Sequence, residues 1–260
     1  MASIAGQIAL VTGASSGIGA ACARSFAEVG VKVILTARRQ DRIETLARTL
    51  QDEYQVPTLS LSFDVSDRPQ VESAIADLPS EWQAIDILVN NAGLSRGLDK
   101  QYEAPLQDWE EMIDTNIKGL LYMTRAIAPG MVARNAGHVI NIGSIAARYT
   151  YPGGNVYCGT KAAVRAISEG LKQDLHGTPV RVSAVDPGIV ETEFSQVRFR
   201  GDGDRAAAVY QNTTPLVAED VADAVLYCAT RSPHVNVSEM LLLPTDQSSS
   251  TLIHRRPAGS

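Results

Sequence analysis

The feature that most constrains the fold of this chain is the regular alternation of two hydrophobic rhythms along it. Runs of β-branched and aliphatic residues stand at Ile8–Val11, Lys32–Ala37, Thr58–Val65, Asp86–Asn90, His138–Ser144, Val180–Val185 and Glu239–Leu243. Between them the spacing of apolar residues turns helical, over 17–29, 40–54, 67–77, 108–133, 155–176 and 218–230. A strand followed by a helix and another strand is a crossover unit, and parallel strands need such crossovers. The pattern predicts α/β architecture: a single-domain, doubly wound Rossmann-type fold, residues 1–250, with a seven-stranded parallel sheet flanked by helices. A chain of 260 residues with 45% hydrophobic content can fill one such core.

Two segments depart from the rhythm. The polar, Gly-containing stretch near 191–215 is too long for an inert connection and is expected to be a substrate-covering loop. Residues 251–260 are expected to form a flexible C-terminal tail. Within 108–133, Asp108 and Glu111 resemble a capping pair at a helix start, and Asn116 falls on the apolar stripe of Met112, Ile113, Ile117 and Leu120. A buried amide must find partners, so Asn116 is either a structural link or a site residue.

Several function classes are excluded. A net charge of -6 and no basic run argue against a nucleic-acid surface. Cys22, Cys158 and Cys228 form no Cys-x-x-Cys pair, which fits a reducing, cytoplasmic setting without structural zinc or another metal. Cys158 adjoins Tyr157, but no neighbouring His activates it, so it reads as a small buried thiol. Residues 1–23 are uncharged yet lack a basic leader, and a glycine-rich loop interrupts them, so neither a signal nor a membrane segment is expected.

That loop carries the first chemical signal. Ile8–Val11 runs into Thr12-Gly13-Ala14-Ser15-Ser16-Gly17-Ile18-Gly19 and then an alanine-rich helix. Glycines let the backbone turn tightly and approach a pyrophosphate, and a helix N-terminus offers free N–H groups. At the end of the second strand, where an NAD-selective site places an acidic residue, the chain has Ala37-Arg38-Arg39. A neutral residue followed by guanidinium groups suits a 2′-phosphate, which points to NADP(H).

The second signal is Ser144, Tyr157 and Lys161. If Tyr157 lies early in a helix, Lys161 sits one turn on and on the same face, and its ammonium is expected to lower the phenol pKa from about 10. Ser144 ends a buried strand, where open α/β sheets bind ligands. Together they read as a proton-handling centre.

With Gly13-x-x-x-Gly17-x-Gly19, Asn90-Asn91-Ala92-Gly93, Asn116, Ser144, Tyr157, Lys161 and Pro187-Gly188 in this order, the chain resembles the short-chain dehydrogenases/reductases along nearly its whole length. Residues 152–161, Glu193-Phe194-Ser195, Val197-Arg198-Phe199 and Thr245-Asp246-Gln247 resemble the NADP-dependent 3-hydroxy acid dehydrogenase subgroup. Ala147-Arg148 departs from relatives that have a glycine there, which bears on pocket shape. The resemblance implies that Tyr157 exchanges the proton of the carbonyl or alcohol, Ser144 hydrogen-bonds its oxygen, Lys161 tunes Tyr157 and holds the nicotinamide ribose, and Asn116 anchors a relay water. It further implies that Asp64 and Val65 border the adenine, Asn91, Ala92 and Gly93 the ribose, and Pro187, Gly188, Val190 and Thr192 the carboxamide and pyrophosphate. A homotetramer or homodimer built on the long helices is implied as well.

For a hydroxy-acid carboxylate the candidate cations are Arg148, Arg198, Arg200 and Arg205, with Arg198 favoured by its place in the subgroup-like stretch and Arg148 kept as a substrate-site residue next to Ser144 and Tyr157. The small-molecule substrate is then a 3-hydroxy acid or its 3-oxo or semialdehyde counterpart. A broad carbonyl reductase for uncharged ketones is the alternative, and a non-catalytic NADP sensor on the same fold the remote one.

Overall fold

The computed structural model describes residues 2–257. Its strands are Ile8–Thr12 (β1), Lys32–Ala37 (β2), Thr58–Ser62 (β3), Ile87–Asn90 (β4), His138–Ile142 (β5), Arg181–Pro187 (β6) and Glu239–Leu242 (β7). They form one parallel sheet in the order β3-β2-β1-β4-β5-β6-β7. The chain therefore begins in the middle, winds outward to β3, crosses back and winds outward again to β7. The reversal lies between β1 and β4, and at such a switch point a crevice opens beyond the strand carboxyl ends.

Successive side chains of a strand face opposite sides, and both sides here are apolar. Ala9 and Val11 of β1 pack with Gly17–Glu28 (α1), Gln40–Tyr54 (α2) and Ala218–Ala229 (α9). Ile8 and Leu10 join the opposite core with Val71 of Arg68–Ala76 (α3) and Met123, Ile127 and Met131 of Leu120–Ala133 (α5). Small residues such as Ala23, Ala27 and Ala222 fill the first core and let α1 and α9 approach closely. Among the described residues no helix is long and apolar enough to cross a membrane.

The long 108–133 pattern is not one regular helix. Leu106–Ile113 (α4) passes into a π-helical stretch, Asp114–Gly119, before α5 resumes. Gly119 is needed in this stretch because a Cβ there would fall 2.7 Å from Val65 Cγ2. Asp108 is not the cap: Pro105 precedes the helix, and Asp108 lies in its first turn, buried, accepting a hydrogen bond from Arg200. Glu111 pairs with Arg96 at 2.6 Å instead.

The 191–215 segment folds into two short helices, Phe194–Arg198 (α7) and Gly203–Ala208 (α8), with Phe199 and Ala206 buried and Asp202 capping α8 through Arg205 N–H at 3.1 Å. Residues 251–257 of the tail lie against it. Arg256 N–H donates to Asn212 O at 2.7 Å, its guanidinium bonds Asp246 at 2.9 Å, and Arg255 donates to Val209 O at 3.1 Å. The remainder of the expected flexible tail, 258–260, lies outside the described residues.

Candidate active site

The glycine-rich turn is held open by β4. Thr12 Oγ1 accepts from the N–H groups of Asn91 and Ala92 at 3.0 and 2.9 Å, and Asn91 Nδ2 donates to Thr12 O at 2.8 Å. Gly13 has a φ of +66°, and a Cβ at Gly19 would sit 2.5 Å from both Gly13 O and Asn91 Nδ2. Side chains are thus excluded on both sides of the turn. Ser16 caps α1 without a side-chain hydrogen bond and the first turn carries no acid, so its N–H groups present a positive pole. Ser15, Ser16, Gly17 and Ile18 line a cavity of about 340 Å³ with this pole at its wall. Gly19 lies behind the turn rather than in the cavity, whereas Asn91 lines the cavity and also locks the turn with its amide.

Across the cavity, Arg39 Nη2 donates to Ser15 Oγ and Ser16 Oγ at 2.8 Å each, and Nη1 to Glu193 Oε2 at 2.9 Å. Arg42 grips the same Glu193 at 2.7 Å. Arg38 reaches outward, with its side chain 65% exposed, and touches Asp64 at 3.5 Å. Burial opposes ionisation of Asp64, but hydrogen bonds from Ser66 and the charge of Arg38 outweigh it and hold the carboxyl below its usual range. Val65, Ala92, Gly93, Pro187, Gly188, Val190 and Thr192 line the remaining walls.

Tyr157 and Lys161 stand in the first two turns of Asn155–Asp174 (α6), one turn apart, and Ser144 follows β5 at the head of a short 3-10 turn. All three side chains line this cavity and all are buried. Lys161 Nζ donates to Ile142 O at 2.8 Å, and burial pulls its pKa down to about 8 against the opposing charge of Asp186. Burial raises the Tyr157 phenol above 10, opposed by the Arg198 charge and a hydrogen bond with Ser144. Arg198 is thus a cation that lowers the phenol pKa and that the Tyr157–Lys161 spacing did not announce, while the lysine head is turned to the Ile142 carbonyl.

Asn116 does not line the cavity. Its Oδ1 accepts from Leu94 N–H at 2.8 Å, and its Nδ2 donates to Leu94 O at 2.8 Å and Thr160 Oγ1 at 3.0 Å, so both amide hydrogens and one oxygen lone pair are used. It nevertheless borders Lys161: a Cβ on Gly93 would lie 3.2 Å from Asn116 Oδ1 and 3.6 Å from Lys161 Nζ.

A second cavity of about 520 Å³ adjoins the first and shares Ser144, Tyr157, Gly188, Val190 and Phe194 with it. Arg198 enters its wall with Cζ 5.5 Å from the Tyr157 ring centre and 5.2 Å from that of Phe194. Its Nη2 donates to Tyr151 Oη at 3.2 Å, while Nε is buried without a hydrogen-bond partner. Arg205, stacked at 4.5 Å on Phe199, and Arg255 of the tail line the same space.

Two expected substrate cations lie elsewhere. Arg148 lines neither cavity: Glu239 and Asp186 draw its guanidinium toward the side of the sheet covered by α6, at 3.7 Å from Asp186. Arg200 is taken up by Asp108 and, at 3.9 Å, Glu111. Sequence reasoning missed Glu193, Phe194 and Tyr151 as site residues. Glu193 and Phe194 stood in a subgroup-like stretch, whereas no local pattern announces that Tyr151 meets Arg198 across 47 residues.

A short chain dehydrogenase family model matches residues 7–202. An NADP-dependent 3-hydroxy acid dehydrogenase, YdfG of Escherichia coli K12, is 51% identical over 252 residues, covering 96% of this chain and all of that protein. An NADP-dependent 3-hydroxy acid dehydrogenase of Schizosaccharomyces pombe is 43% identical, covering 99% of this chain and 100% of that one. Among solved structures, the closed form of a serine dehydrogenase complexed with NADP+ superposes with a TM-score of 0.90 at 50% identity, covering 96% of this chain and 100% of that chain.

Proposed function

This chain belongs to the short-chain dehydrogenase family, and on that premise we propose that it is an NADP-dependent oxidoreductase interconverting small 3-hydroxy acids and their 3-oxo or semialdehyde counterparts. The observation that carries the substrate class is Arg198, a half-buried arginine whose Nε is buried and unpartnered, set against the Tyr157 ring at the wall of the second cavity. An unpaired buried donor is costly until an anion meets it, and a planar guanidinium suits a carboxylate.

The first cavity fits a dinucleotide phosphate. Its glycine turn excludes side chains, its uncapped α1 N-terminus offers N–H groups, and Arg38 and Arg39 supply cations where an NAD site would have an acid. Gly13, Ser15, Ser16, Gly17 and Ile18 would hold the pyrophosphate, Arg38 and Arg39 the 2′-phosphate, Asp64 and Val65 the adenine. Asn91, Ala92, Gly93 and Lys161 would hold the nicotinamide ribose, and Pro187, Gly188, Val190 and Thr192 the carboxamide side. When bound, NADP(H) supplies or accepts the hydride.

The chain's own residues do the rest. Tyr157 gives its phenolic proton to the carbonyl oxygen in reduction or removes it from the alcohol in oxidation, and Ser144 donates to that oxygen as charge develops. Arg198 draws down the phenol's proton affinity and orients the carboxylate, so substrate and acid are placed by one guanidinium. Lys161 supplies the second positive charge beside Tyr157, and Asn116 holds the Leu94 backbone next to it. The helices of 191–215 shield the reacting atoms from water.

A wider carbonyl reductase is favoured by one observation, the 520 Å³ cavity, which exceeds what a three-carbon acid fills. The two readings separate in an assay of NADP+ reduction across serine, threonine, 3-hydroxypropionate, 3-hydroxyisobutyrate and plain secondary alcohols. The acid reading expects the hydroxy acids to lead in kcat/KM; secondary alcohols matching them would overturn it. The cytoplasmic assignment rests on three cysteines that are all free and buried. A homotetramer, or a homodimer, is supported by exposed apolar residues on the long helices, Leu106, Ile113, Leu121 and Val132, and sedimentation velocity decides it.

A further inference from the structure

Asp186 is the most deeply buried acid of the molecule, fully shielded from solvent on β6, and neither of its carboxylate oxygens meets a hydrogen-bond donor. It lies against the backbone that carries the proposed proton-handling centre. A Cβ on Gly143 would overlap Asp186 Oδ1, Gly143 N–H donates to Val185 O at 2.8 Å, and the preceding carbonyl, Ile142 O, holds Lys161. On the neighbouring strand β7, Glu239 is paired with Ala184, so its side chain shares the face of Asp186.

The charged groups around Asp186 come from three elements. Arg148, from the turn after β5, lies 3.7 Å away and also grips Glu239; Lys161 and Arg165 come from α6, Arg165 bonding Glu239 at 2.8 Å; Glu239 comes from β7. Glu169, also on α6, acts on Arg165. Two carboxyl groups side by side, one of them buried without a donor, are satisfied when the buried one is protonated and donates to the other.

We propose that Asp186 and Glu239 hold one proton between them behind Lys161, and that Asp186 is a positioning residue whose charge sets how firmly Lys161 keeps its own proton. The kinetic part rests on the reading of Ser144, Tyr157 and Lys161 as the proton-handling centre. Burial, and then the hydrogen bond to Glu239, raise Asp186 to about 7, whereas Arg148 and Arg165 outweigh burial at Glu239 and hold it below its usual range. The shared proton therefore resides on Asp186. Ionised Asp186 is in turn the charge that supports the Lys161 ammonium against burial.

Two measurements test this. Infrared difference spectra of the wild-type protein against Asp186→Asn should show a carboxylic-acid carbonyl band that titrates near neutral pH and is missing from the variant. In Glu239→Gln the band should titrate at lower pH, because Arg148 then faces Asp186 alone. In the pH profile of kcat/KM for carbonyl reduction, activity falls as Lys161 loses its proton, and Asp186→Asn should move that alkaline limb down by about one pH unit. An Asp186 ionised throughout the neutral range, or an unmoved limb in Asp186→Asn, overturns the proposal. If Asp186→Asn does not fold, the wild-type band and its shift in Glu239→Gln decide. Failure of the underlying reading looks different: Tyr157→Phe would keep its turnover while the infrared band remained.

Discussion

The two halves of the cleft are built in different ways. On the side proposed for the cofactor, backbone does the work: the turn 12–19 is strapped to the 90–93 turn by Thr12 and Asn91, and glycines mark where nothing larger fits. On the side proposed for the substrate, the wall consists of side chains on two short helices and a tail, with guanidinium groups set against rings, Arg198 on Tyr157 and Arg205 on Phe199. Backbone sites accept one ligand shape and tolerate little change, whereas side-chain walls re-tune by substitution. On the proposed reading, cofactor choice and substrate range are separable, with Tyr157 and Ser144 lining both cavities.

The largest effect should come from the shared residue: Tyr157→Phe is expected to lower kcat by about 10³-fold while NADPH binding, followed by fluorescence titration, persists. Breaking the substrate wall alone comes next. Arg198→Met should raise KM for a 3-hydroxy acid roughly 10- to 100-fold and leave the KM of a neutral alcohol little changed, since a charge-assisted bond is lost, while kcat falls for both as the phenol loses its cation; an equal KM effect on both would show that Arg198 merely packs. On the cofactor side, Arg39→Met should cut the NADPH-over-NADH ratio of kcat/KM by about tenfold, leaving KM for the hydroxy acid in place. The smallest effect is expected at Arg148→Met, whose guanidinium points at Glu239, so that the hydroxy-acid KM should stay unchanged.

The same contrast explains what could be seen in the sequence. The seven strands and the motifs at 13–19, 38–39, 90–93 and 144–161 are local patterns in which residue type and backbone geometry determine each other. They were legible for that reason. Strand ends were less so: β3 stops at Ser62 rather than Val65 because the chain turns there toward Asp64 and Ser66. The π-helical stretch at Asp114–Gly119 left no trace in the apolar periodicity, since it arises from the fit of Gly119 against Val65 and of Asn116 against Leu94. Arg148 looked like a substrate residue by its distance from Ser144 along the chain. Its partner Glu239 lies 91 positions away on the last strand, a pairing that only the sheet order creates.

The Thr12–Asn91 strap has a thermodynamic consequence. Because the turn 12–19, the proposed phosphate site, is fixed by the sheet through bonds of 2.8 to 3.0 Å, that turn does not have to order when a dinucleotide arrives, and little conformational entropy is forfeited there on association. Calorimetry should then show a heat-capacity change no larger than the contact area itself accounts for, without the excess that marks folding coupled to binding.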